Sequence, residues 1–335
     1  MRAMILAAGL GTRMRPLSDY RAKPALPVCG RPVISLLLEL LAKNGIREIL
    51  INLHHQPESI RAAVARDCPD DISLTWSEEP TPLGTGGGIR RAAEFLRESP
   101  DCLVMAGDML LDLDLRGLTE RHHASGRDVT LVLRDDPRGK LFGTIGTDAE
   151  QRVTRVGKTM LTIPNRAPAA GGEGLFTSVR LFSREALAAW PSTAGENDAF
   201  EDLRDWLAPR AEAGDLALGA EIVAAAESVW EPAGTLDEYL RVNLSPPALP
   251  TLGGDARNWR GDVLDDDGPG GNVIARSAVL PADVDLRRCV VWDSERVPAG
   301  FQGQDGVYGG DEFHSCVGSA ESKTNPVTQA SGSAL

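Results

Sequence analysis

Residues 8–18 read Ala-Gly-Leu-Gly-Thr-Arg-Met-Arg-Pro-Leu-Ser, and they follow a short apolar run, Met4–Leu6, that predicts a first β-strand. Gly9 and Gly11 allow the backbone to turn sharply after this strand and to approach a ligand closely. Free backbone N–H groups in such a turn, with arginine and lysine side chains nearby, are typical of a site that binds phosphate groups. The opening of the chain therefore predicts a strand followed by a polyphosphate-binding loop.

The charge of this opening segment differs from that of the whole chain. Over 335 residues, 35 Lys and Arg stand against 48 Asp and Glu, which gives a formal net charge of −13. A basic segment in an acidic chain favours a local anionic ligand, and it argues against a protein that coats nucleic acid, which is usually basic over a broad face. Within residues 1–32 the acidic residue is Asp19, and the basic residues are Arg2, Arg13, Arg15, Arg21, Lys23 and Arg31.

The spacing excludes two common phosphate-binding loops. A dinucleotide-binding fingerprint requires a third glycine where Met14 stands, and a Walker loop requires Gly-Lys-Ser/Thr at the end of the turn. The segment instead resembles the signature loop of the sugar-1-phosphate nucleotidyltransferases, also known as NDP-sugar pyrophosphorylases. The resemblance is carried by Gly9-Leu-Gly-Thr-Arg-Met-Arg-Pro16, Lys23-Pro24 and Pro27-Val-Cys-Gly-Arg-Pro32, in which Arg31 replaces the usual lysine.

The resemblance implies a reaction between a nucleoside triphosphate and a sugar 1-phosphate. An oxygen of the sugar 1-phosphate attacks the α-phosphorus, and pyrophosphate leaves. The protein then has to neutralise charge, hold two phosphate groups in line and bind Mg²⁺. The family pattern places Arg13 against the β- and γ-phosphates and Lys23 against the α-phosphate, and it makes Asp108 the metal ligand. The same pattern assigns nucleotide contacts to Leu6, Ala8, Gly9, Gly11 and Thr12.

Two further segments resemble the part of the family that recognises the base. These are Glu78-Glu79-Pro80 and Leu83-Gly-Thr-Gly-Gly-Gly88, and the expected contacts are Glu79, Gly84 and Thr85. Glycines let the backbone approach a flat base, and a carboxylate such as Glu79 can accept hydrogen bonds from the N1–H and N2–H₂ edge of guanine, which uracil lacks. The sequence therefore favours GTP, with a uridylyltransferase of the same family as the alternative.

The predicted contacts to the sugar lie later in the chain. Gly143 and Gly174 match glycines that line the sugar pocket of the family, although turn glycines are the alternative interpretation. Lys158 matches the lysine of a Glu-Lys-Pro segment that holds the sugar phosphate, but Gly157 and Thr159 replace the glutamate and the proline. An ordinary surface lysine is the alternative at this position.

The metal site departs from the family pattern. The family usually completes this site with Trp-x-Asp-x-Gly-Thr, whereas this chain has Trp230-Glu-Pro-Ala-Gly-Thr235, so that Pro232 takes the place of the second carboxylate. Either Glu231 replaces it, or Asp108, water and substrate phosphates hold Mg²⁺ alone, as Mg²⁺ sites with one or two carboxylates do. The third alternative is a degenerate relative that binds nucleotide or sugar phosphate as a regulatory subunit without catalysis.

Adjacent histidines, His54 and His55, follow an apolar strand. Neighbouring side chains on an extended segment point to opposite faces, so the two imidazoles do not chelate one ion together. We interpret them as structural residues.

Strand and helix patterns alternate as far as Leu115, which predicts a doubly wound, mostly parallel α/β sheet of the Rossmann-like kind. Asp108 would then lie at the carboxyl end of a central strand, where open parallel sheets bind ligands. Near the end of the chain, short apolar pieces recur at intervals of about six residues and resemble the left-handed β-helix of many family members, with an irregular β-rich tail as the alternative. The predicted organisation is a nucleotidyltransferase domain over 1–245, a linker over 246–271, a short β-helix-like region over 272–312 and a disordered tail over 313–335.

Composition indicates where the protein works. No apolar stretch approaches the roughly 20 residues needed to cross a bilayer, and the first apolar run breaks at Gly9, unlike a signal peptide. The cysteines form no CxxC pair, which favours a reducing compartment. We therefore expect a cytoplasmic protein that does not bind membranes, and the resemblance implies a homo-oligomer that associates through the β-helix. The cysteines are Cys29, Cys68, Cys102, Cys289 and Cys316.

Overall fold

The computed structural model describes residues 1–162, 171–191, 199–264 and 271–316. The strands are β1 (Arg2–Leu6), β2 (Pro27–Val28), β3 (Arg31–Pro32), β4 (Glu48–Leu53), β5 (Ser73–Glu78), β6 (Asp101–Ala106), β7 (Met109–Asp112), β8 (Val129–Asp135), β9 (Ile145–Thr147), β10 (Val153–Val156), β11 (Thr159–Met160), β12 (Glu173–Ser183), β13 (Leu218–Ala224), β14 (Val229–Pro232), β15 (Val273–Ile274), β16 (Asp285–Val291), β17 (Gln302–Tyr308) and β18 (Phe313–Ser315). The α-helices are α1 (Leu17–Tyr20), α2 (Val33–Lys43), α3 (Pro57–Arg66), α4 (Gly84–Leu96), α5 (Leu115–Ser125), α6 (Gly139–Phe142), α7 (Arg184–Ala188), α8 (Ala208–Ala213), α9 (Leu236–Leu244) and α10 (Ala256–Trp259). A π-helical turn over Asp202–Leu207 precedes α8.

Parallel strands form the centre of the fold, in the order β6-β1-β4-β5. β1 pairs in parallel with both β4 and β6, and β4 pairs in parallel with β5. Helices α2, α3 and α4 lie in the connections between these strands. This arrangement confirms the predicted α/β fold, and it brings the carboxyl ends of the four strands to one edge of the sheet.

Both faces of this sheet are covered. Ala3 and Ile5 of β1 belong to one buried cluster, and Met4 belongs to a second cluster on the opposite face. This alternation follows from the two-residue period of a strand. Leu37 of α2 packs into the first cluster and Ile89 of α4 into the second, so the sheet is wound with helices on both sides.

An antiparallel extension continues the sheet beyond β6. β12 pairs in antiparallel fashion with β6 and β8, and its first residues pair with β9. β9 and β10 pair next, and β11 forms the edge. The chain after Leu115 thus contributes the β-rich part of the fold.

The carboxyl-terminal strands form a separate sheet of repeated parallel turns. β15, β16 and β17 pair in parallel, and Val273, Val290 and Val307 occupy equivalent positions in successive turns. β18 then turns back in antiparallel fashion on β17, so the first residues of the predicted disordered tail form a strand. The remainder of that tail, residues 317–335, lies outside the described residues.

The predicted linker is packed against the α/β core over its described part, residues 246–264. Leu249 and Trp259 are 0% and 1% exposed. Thr251 donates hydrogen bonds through its backbone N and its Oγ1 to the two carboxylate oxygens of Asp112, at 2.8 Å and 2.6 Å. Residues 265–270 of the linker lie outside the described residues.

Trp259→Ala is expected to lower the free energy of unfolding by about 3–5 kcal/mol, because it removes a large buried side chain from the contact between this segment and the core. Urea denaturation followed by circular dichroism measures the change. The exposed neighbour Arg257 provides the control, since Arg257→Ala is expected to change stability by no more than about 0.5 kcal/mol. Equal stability of the Trp259→Ala variant and the parent protein would show that the segment is a free linker.

None of the helices in the described ranges combines the length and the hydrophobicity that a membrane span requires.

Candidate active site

A cavity of about 460 Å³ opens at the carboxyl edge of the parallel strands. Its volume lies in the range of small-molecule sites. The residues predicted to bind the nucleotide or the metal all line this cavity; they are Leu6, Ala8, Gly9, Gly11, Thr12, Arg13, Lys23, Glu79, Gly84, Thr85 and Asp108. The structure therefore brings together side chains that come from five different segments of the chain.

The loop after β1 folds into a tight turn. Gly11 has φ of 62°, in the left-handed region that favours glycine, and a Cβ there would lie 3.1 Å from the Cβ of Ser18. Met14 follows in a short 3₁₀ turn, where its backbone N donates to the carbonyl of Gly11 at 2.8 Å. The Met14 side chain is fully buried, so the position that a dinucleotide fingerprint gives to glycine anchors this loop to the core.

Lys23 and Asp108 form an ion pair at the floor of the cavity. The Nζ of Lys23 lies 2.5 Å from Oδ2 of Asp108, and the Lys23 side chain is 10% exposed against 36% for Asp108. Gly107 lies between the end of β6 and Asp108. A Cβ atom at position 107 would lie 3.1 Å from the carbonyl oxygen of Leu6. Glycine at 107 thus allows β6 and β1 to approach closely where both strands end.

Arg13 and Lys23 converge on Gly234, which follows β14. A Cβ on Gly234 would lie 3.2 Å from Nζ of Lys23, 3.6 Å from Nη2 of Arg13 and 3.0 Å from Oε2 of Glu238. The backbone N of Gly234 donates to that same Glu238 oxygen at 2.8 Å, and Thr235 caps α9 by accepting from the Glu238 backbone N. The Gly-Thr pair after β14 therefore brings the start of α9 to the two cations of the opening loop.

Pro232 and Glu231 occupy the part of β14 where the family pattern places a second carboxylate of the metal site. Pro232 pairs with Met109, the residue after Asp108, so the proline lies at the position that the family pattern gives to aspartate. Oε2 of Glu231 instead contacts Nη1 of Arg138 at 3.0 Å and Nη2 of Arg241 at 2.8 Å. Glu231 is therefore held by two arginines, which contradicts the alternative in which it completes the metal site.

A buried carboxylate keeps one of these arginines in place. Arg138 donates hydrogen bonds to Asp136, and these lower the pKa of Asp136 to about 2. Asp136 is thus ionised at neutral pH and fixes the guanidinium that binds Glu231. Within the described ranges no group of three or more Asp, Glu, His or Cys side chains has the arrangement of a metal site. A divalent ion at Asp108 would therefore depend on oxygen atoms of the substrates for further ligands, as Mg²⁺ sites commonly do.

The opposite end of the cavity carries the buried carboxylate of Glu79, which is 4% exposed. Its Oε1 accepts a hydrogen bond from Nδ2 of Asn52 at 2.7 Å, and its Oε2 accepts from the backbone N of Leu83 at 3.1 Å. Oδ1 of Asn52 accepts in turn from the backbone N of Ala7 at 2.7 Å. This network fixes an acceptor group in the cavity wall and joins it to the opening loop.

The two histidines make separate contacts. Nδ1 of His54 donates to the carbonyl of Glu79 at 2.8 Å, and Nε2 of His55 donates to the carbonyl of Ser18 at 2.7 Å. Each imidazole thus joins a different segment to the end of β4, in agreement with a structural role.

The residues predicted to contact the sugar lie in the antiparallel extension, and they do not line the cavity. Gly143 ends α6 with φ of 86°, and Lys158 is exposed in the turn between β10 and β11. Gly174 lies in β12, where a Cβ would come within 2.9 Å of the Cβ of Leu133. Close packing between strands therefore accounts for glycine at 174.

Sequence patterns did not predict four other residues of the lining: Asn52, Ser178, Arg180 and Glu201. Asn52 is a polar residue in the buried part of β4, between Ile51 and Leu53, and Arg180 interrupts the apolar residues at the end of β12. A polar residue within a buried strand is the signal that could have identified both.

Comparisons with known proteins find relatives of this chain. The family model for nucleotidyl transferases matches residues 2–245. The chain is 31% identical over 319 residues to the mannose-1-phosphate guanylyltransferase of Mycobacterium tuberculosis, and the match covers 89% of this chain and 81% of that protein. It is 32% identical over 165 residues to the UTP–glucose-1-phosphate uridylyltransferase of Synechocystis sp., with coverage of 46% of this chain and 42% of that protein.

A solved structure, that of HddC from Yersinia pseudotuberculosis complexed with GMP-PN, superposes with a TM-score of 0.57. The sequences are 22% identical, and the superposition covers 72% of this chain and 97% of HddC. At this identity the likeness shows a shared fold.

Proposed function

The chain belongs to the nucleotidyl transferase family, and from this premise we propose that it joins GTP to a sugar 1-phosphate, releasing pyrophosphate and forming a GDP-sugar. The observation that carries this proposal is the single cavity with a fixed carboxylate, Glu79, at one end and the group Arg13, Lys23 and Asp108 at the other. A nucleotide needs both ends at once, because its base and its phosphates differ in charge and in hydrogen bonding.

The phosphate end of the cavity suits charge neutralisation. We assign Arg13 to the β- and γ-phosphates, where charge accumulates as pyrophosphate leaves, because a guanidinium can donate two parallel hydrogen bonds to phosphate oxygens. Lys23 provides a compact positive charge for the α-phosphate. Mg²⁺, when bound, neutralises further phosphate charge, and the carboxylate of Asp108 would hold it. The turn at Gly9 and Gly11 supplies backbone N–H groups that can donate hydrogen bonds to the phosphate oxygens of the nucleotide.

The base end of the cavity favours guanine over uracil. Guanine presents N1–H and N2–H₂ donors side by side, which match the two acceptor oxygens of Glu79. Uracil flanks its one N–H with two carbonyl oxygens, and these would face the carboxylate with like partial charge. The mycobacterial relative is named as a guanylyltransferase, which supports GTP and makes mannose 1-phosphate the first sugar phosphate to test. The Synechocystis relative is named as a UTP-using enzyme, so a uridylyltransferase stays the alternative.

A binding protein without catalysis is the second candidate function. Pro232 favours it, because proline has no ligand atom where the family pattern has aspartate. The Lys23–Asp108 pair and the approach of Arg13 favour catalysis, since these groups face one another across the cavity floor.

A pyrophosphate-release assay separates these functions. The protein is incubated with Mg²⁺ and each pair from GTP, UTP, ATP, CTP or dTTP with mannose 1-phosphate or glucose 1-phosphate. We expect release to be fastest with GTP and mannose 1-phosphate. Faster release with UTP would support the uridylyltransferase, and binding of GTP with no release from any pair would support the non-catalytic protein.

The cysteines bear on the compartment in which the protein works. All five are free, and Cys29, Cys102, Cys289 and Cys316 are buried. Free thiols support our proposal of a cytoplasmic enzyme, because disulfides form in oxidising compartments. Self-association through the carboxyl-terminal strands stays a prediction.

Arg13→Lys is expected to lower kcat/KM for GTP by about tenfold or more, because one charge-assisted hydrogen bond to phosphate is lost while the positive charge is kept. Steady-state pyrophosphate release measures the effect. Arg15 is the matched control, since it lies two residues away, is 59% exposed and pairs with Asp19 at 3.1 Å. Arg15→Lys is expected to change kcat/KM less than twofold, and equal effects of the two changes would contradict the assignment of Arg13.

A further inference from the structure

Arg180 is a buried cation in the cavity wall, between the apolar residues Val179 and Leu181 of β12. Its residue exposure is 4%, and it lines the same cavity as Asp108. Its Nη2 donates to Oδ1 of Asp202 at 3.0 Å, and its Nε forms a close ion pair with Oδ2 of the same carboxylate. Asp202 is only 1% exposed. Apolar residues of similar volume are often as stable as a buried ion pair, so stability alone is a weak reason for this pair.

The surrounding contacts fix the direction of the Arg180 guanidinium. Nη1 donates to the carbonyl of Ser178 at 3.2 Å, and the guanidinium lies 5.0 Å from the ring centre of Phe176. Ser178 has φ of 63°, and the register of β12 shifts between Phe176 and Val179. Among the described residues, Nη1 and Nη2 each donate one hydrogen bond in these contacts, and Nε faces the carboxylate of Asp202. Because arginine has five N–H donors, one on Nη1 and one on Nη2 remain for a ligand.

The strand order indicates which substrate these donors face. The sheet runs from β1, which carries the phosphate-binding loop, to β6, which ends before Asp108, and then to β12. Arg180 pairs with Val104 of β6. β6, which ends just before Asp108, therefore lies between the strand that carries Arg180 and the strand that carries the phosphate-binding loop. In the proposed reaction the phosphate of the sugar 1-phosphate attacks in line with the leaving pyrophosphate. It would therefore approach from the side of the cavity that Arg180 lines.

We propose that Arg180 binds the phosphate group of the sugar 1-phosphate through the two remaining N–H groups, and that Asp202 is a positioning residue that orients the guanidinium. This inference rests on the proposed function, since it takes the second substrate to be a sugar 1-phosphate. A guanidinium fork matches phosphate oxygens in geometry and in charge. Thr85 joins the arrangement, because its Oγ1 lies 2.6 Å from Oδ1 of Asp202 and accepts from the Asp202 backbone N at 3.0 Å.

Two variants of the full chain test the proposal. Arg180→Lys keeps the charge and loses the fork, whereas the double variant Arg180→Met with Asp202→Leu removes both charges together and leaves neither one buried without a partner. We expect the KM for mannose 1-phosphate to rise about tenfold or more in both variants. The Kd for GTP, measured by calorimetry, is expected to change less than twofold in Arg180→Lys, which keeps Asp202 and its contact with Thr85. Arg91→Lys is the matched comparison, and we expect it to change the KM for mannose 1-phosphate less than twofold, because Arg91 is exposed on α4 and does not line the cavity.

Several outcomes would overturn the proposal. One is an unchanged KM for mannose 1-phosphate in both Arg180 variants, another is an equal loss of GTP affinity in Arg180→Lys, and a third is an equal KM effect from Arg91→Lys and from Arg180→Lys. Direct calorimetry with mannose 1-phosphate keeps this test separate from that of the proposed function. If the parent protein binds mannose 1-phosphate without turnover and Arg180→Lys loses that binding, catalysis is contradicted and the role of Arg180 is supported. If neither form binds mannose 1-phosphate, glucose 1-phosphate or inorganic phosphate, the role of Arg180 is contradicted.

Discussion

Asp108→Asn is expected to lower kcat by about 10²–10³-fold, because under the proposed function it removes a negative charge from the point where the metal and the phosphates would meet. The fold should tolerate the change. The Asp108 side chain is 36% exposed, and asparagine keeps its size and a side-chain oxygen that can accept a hydrogen bond from Lys23. Pyrophosphate release measures the activity, and thermal unfolding with and without GTP measures the stability. We expect a shift of a few degrees at most in the melting temperature without ligand.

A second aspartate four residues away provides the control for Asp108. Asp112 is 5% exposed, and both of its carboxylate oxygens accept hydrogen bonds from Thr251. Asp112→Asn is therefore expected to lower the melting temperature more than Asp108→Asn does and to retain most of the activity. Comparable losses of stability and of activity in Asp108→Asn would instead identify Asp108 as a structural residue.

The part of the cavity that the opening loop forms could be predicted because its determinants are local in sequence. Gly9, Gly11, Arg13 and Lys23 follow one strand within a short segment, so their spacing carries the information. Asp108 could be placed because an apolar run ends just before it, and strand ends of a parallel sheet meet at one edge. The comparisons confirm the family and the fold that this spacing predicted.

The wall formed by Arg180 and Asp202 could not be predicted, because its geometry depends on pairing between distant segments. The register shift in β12 and the pairing of β12 with β6 set the position of Arg180, and the turn before α8 supplies Asp202. The pairing of Glu231 with Arg138 and Arg241 is equally non-local. The sequence pattern showed only that Pro232 interrupts the expected motif.

Composition misrepresented the segment after residue 245 for a related reason. Prolines and glycines there indicate a linker, but Leu249 and Trp259 are buried against the core. Local composition does not show whether the few apolar side chains of an irregular segment pack against the core.

Glu79→Gln is expected to lower kcat/KM for GTP by about 10²-fold or more, because two hydrogen bonds from guanine to a charged acceptor are weakened or lost. An amide also presents an NH₂ group to donors that already surround this site, namely Nδ2 of Asn52 and the backbone N of Leu83. The ratio of kcat/KM for GTP to kcat/KM for UTP should also fall, since UTP gains no comparable contact from the carboxylate. Pyrophosphate release at subsaturating concentrations of each nucleotide measures both quantities.

The neighbouring Glu78 provides the control for Glu79→Gln, because Glu78→Gln removes a negative charge without changing the proposed contact to the base. Glu78 is exposed and pairs with Arg61, so Glu78→Gln should leave the preference for GTP within about twofold of the parent protein. If Glu79→Gln lowers the activity with GTP and with UTP by the same factor, the buried network of Glu79 shapes the cavity without reading the base. A fall confined to GTP would mean that guanine is recognised by the carboxylate itself, since the hydrogen bonds to Asn52 and Leu83 are common to both nucleotides.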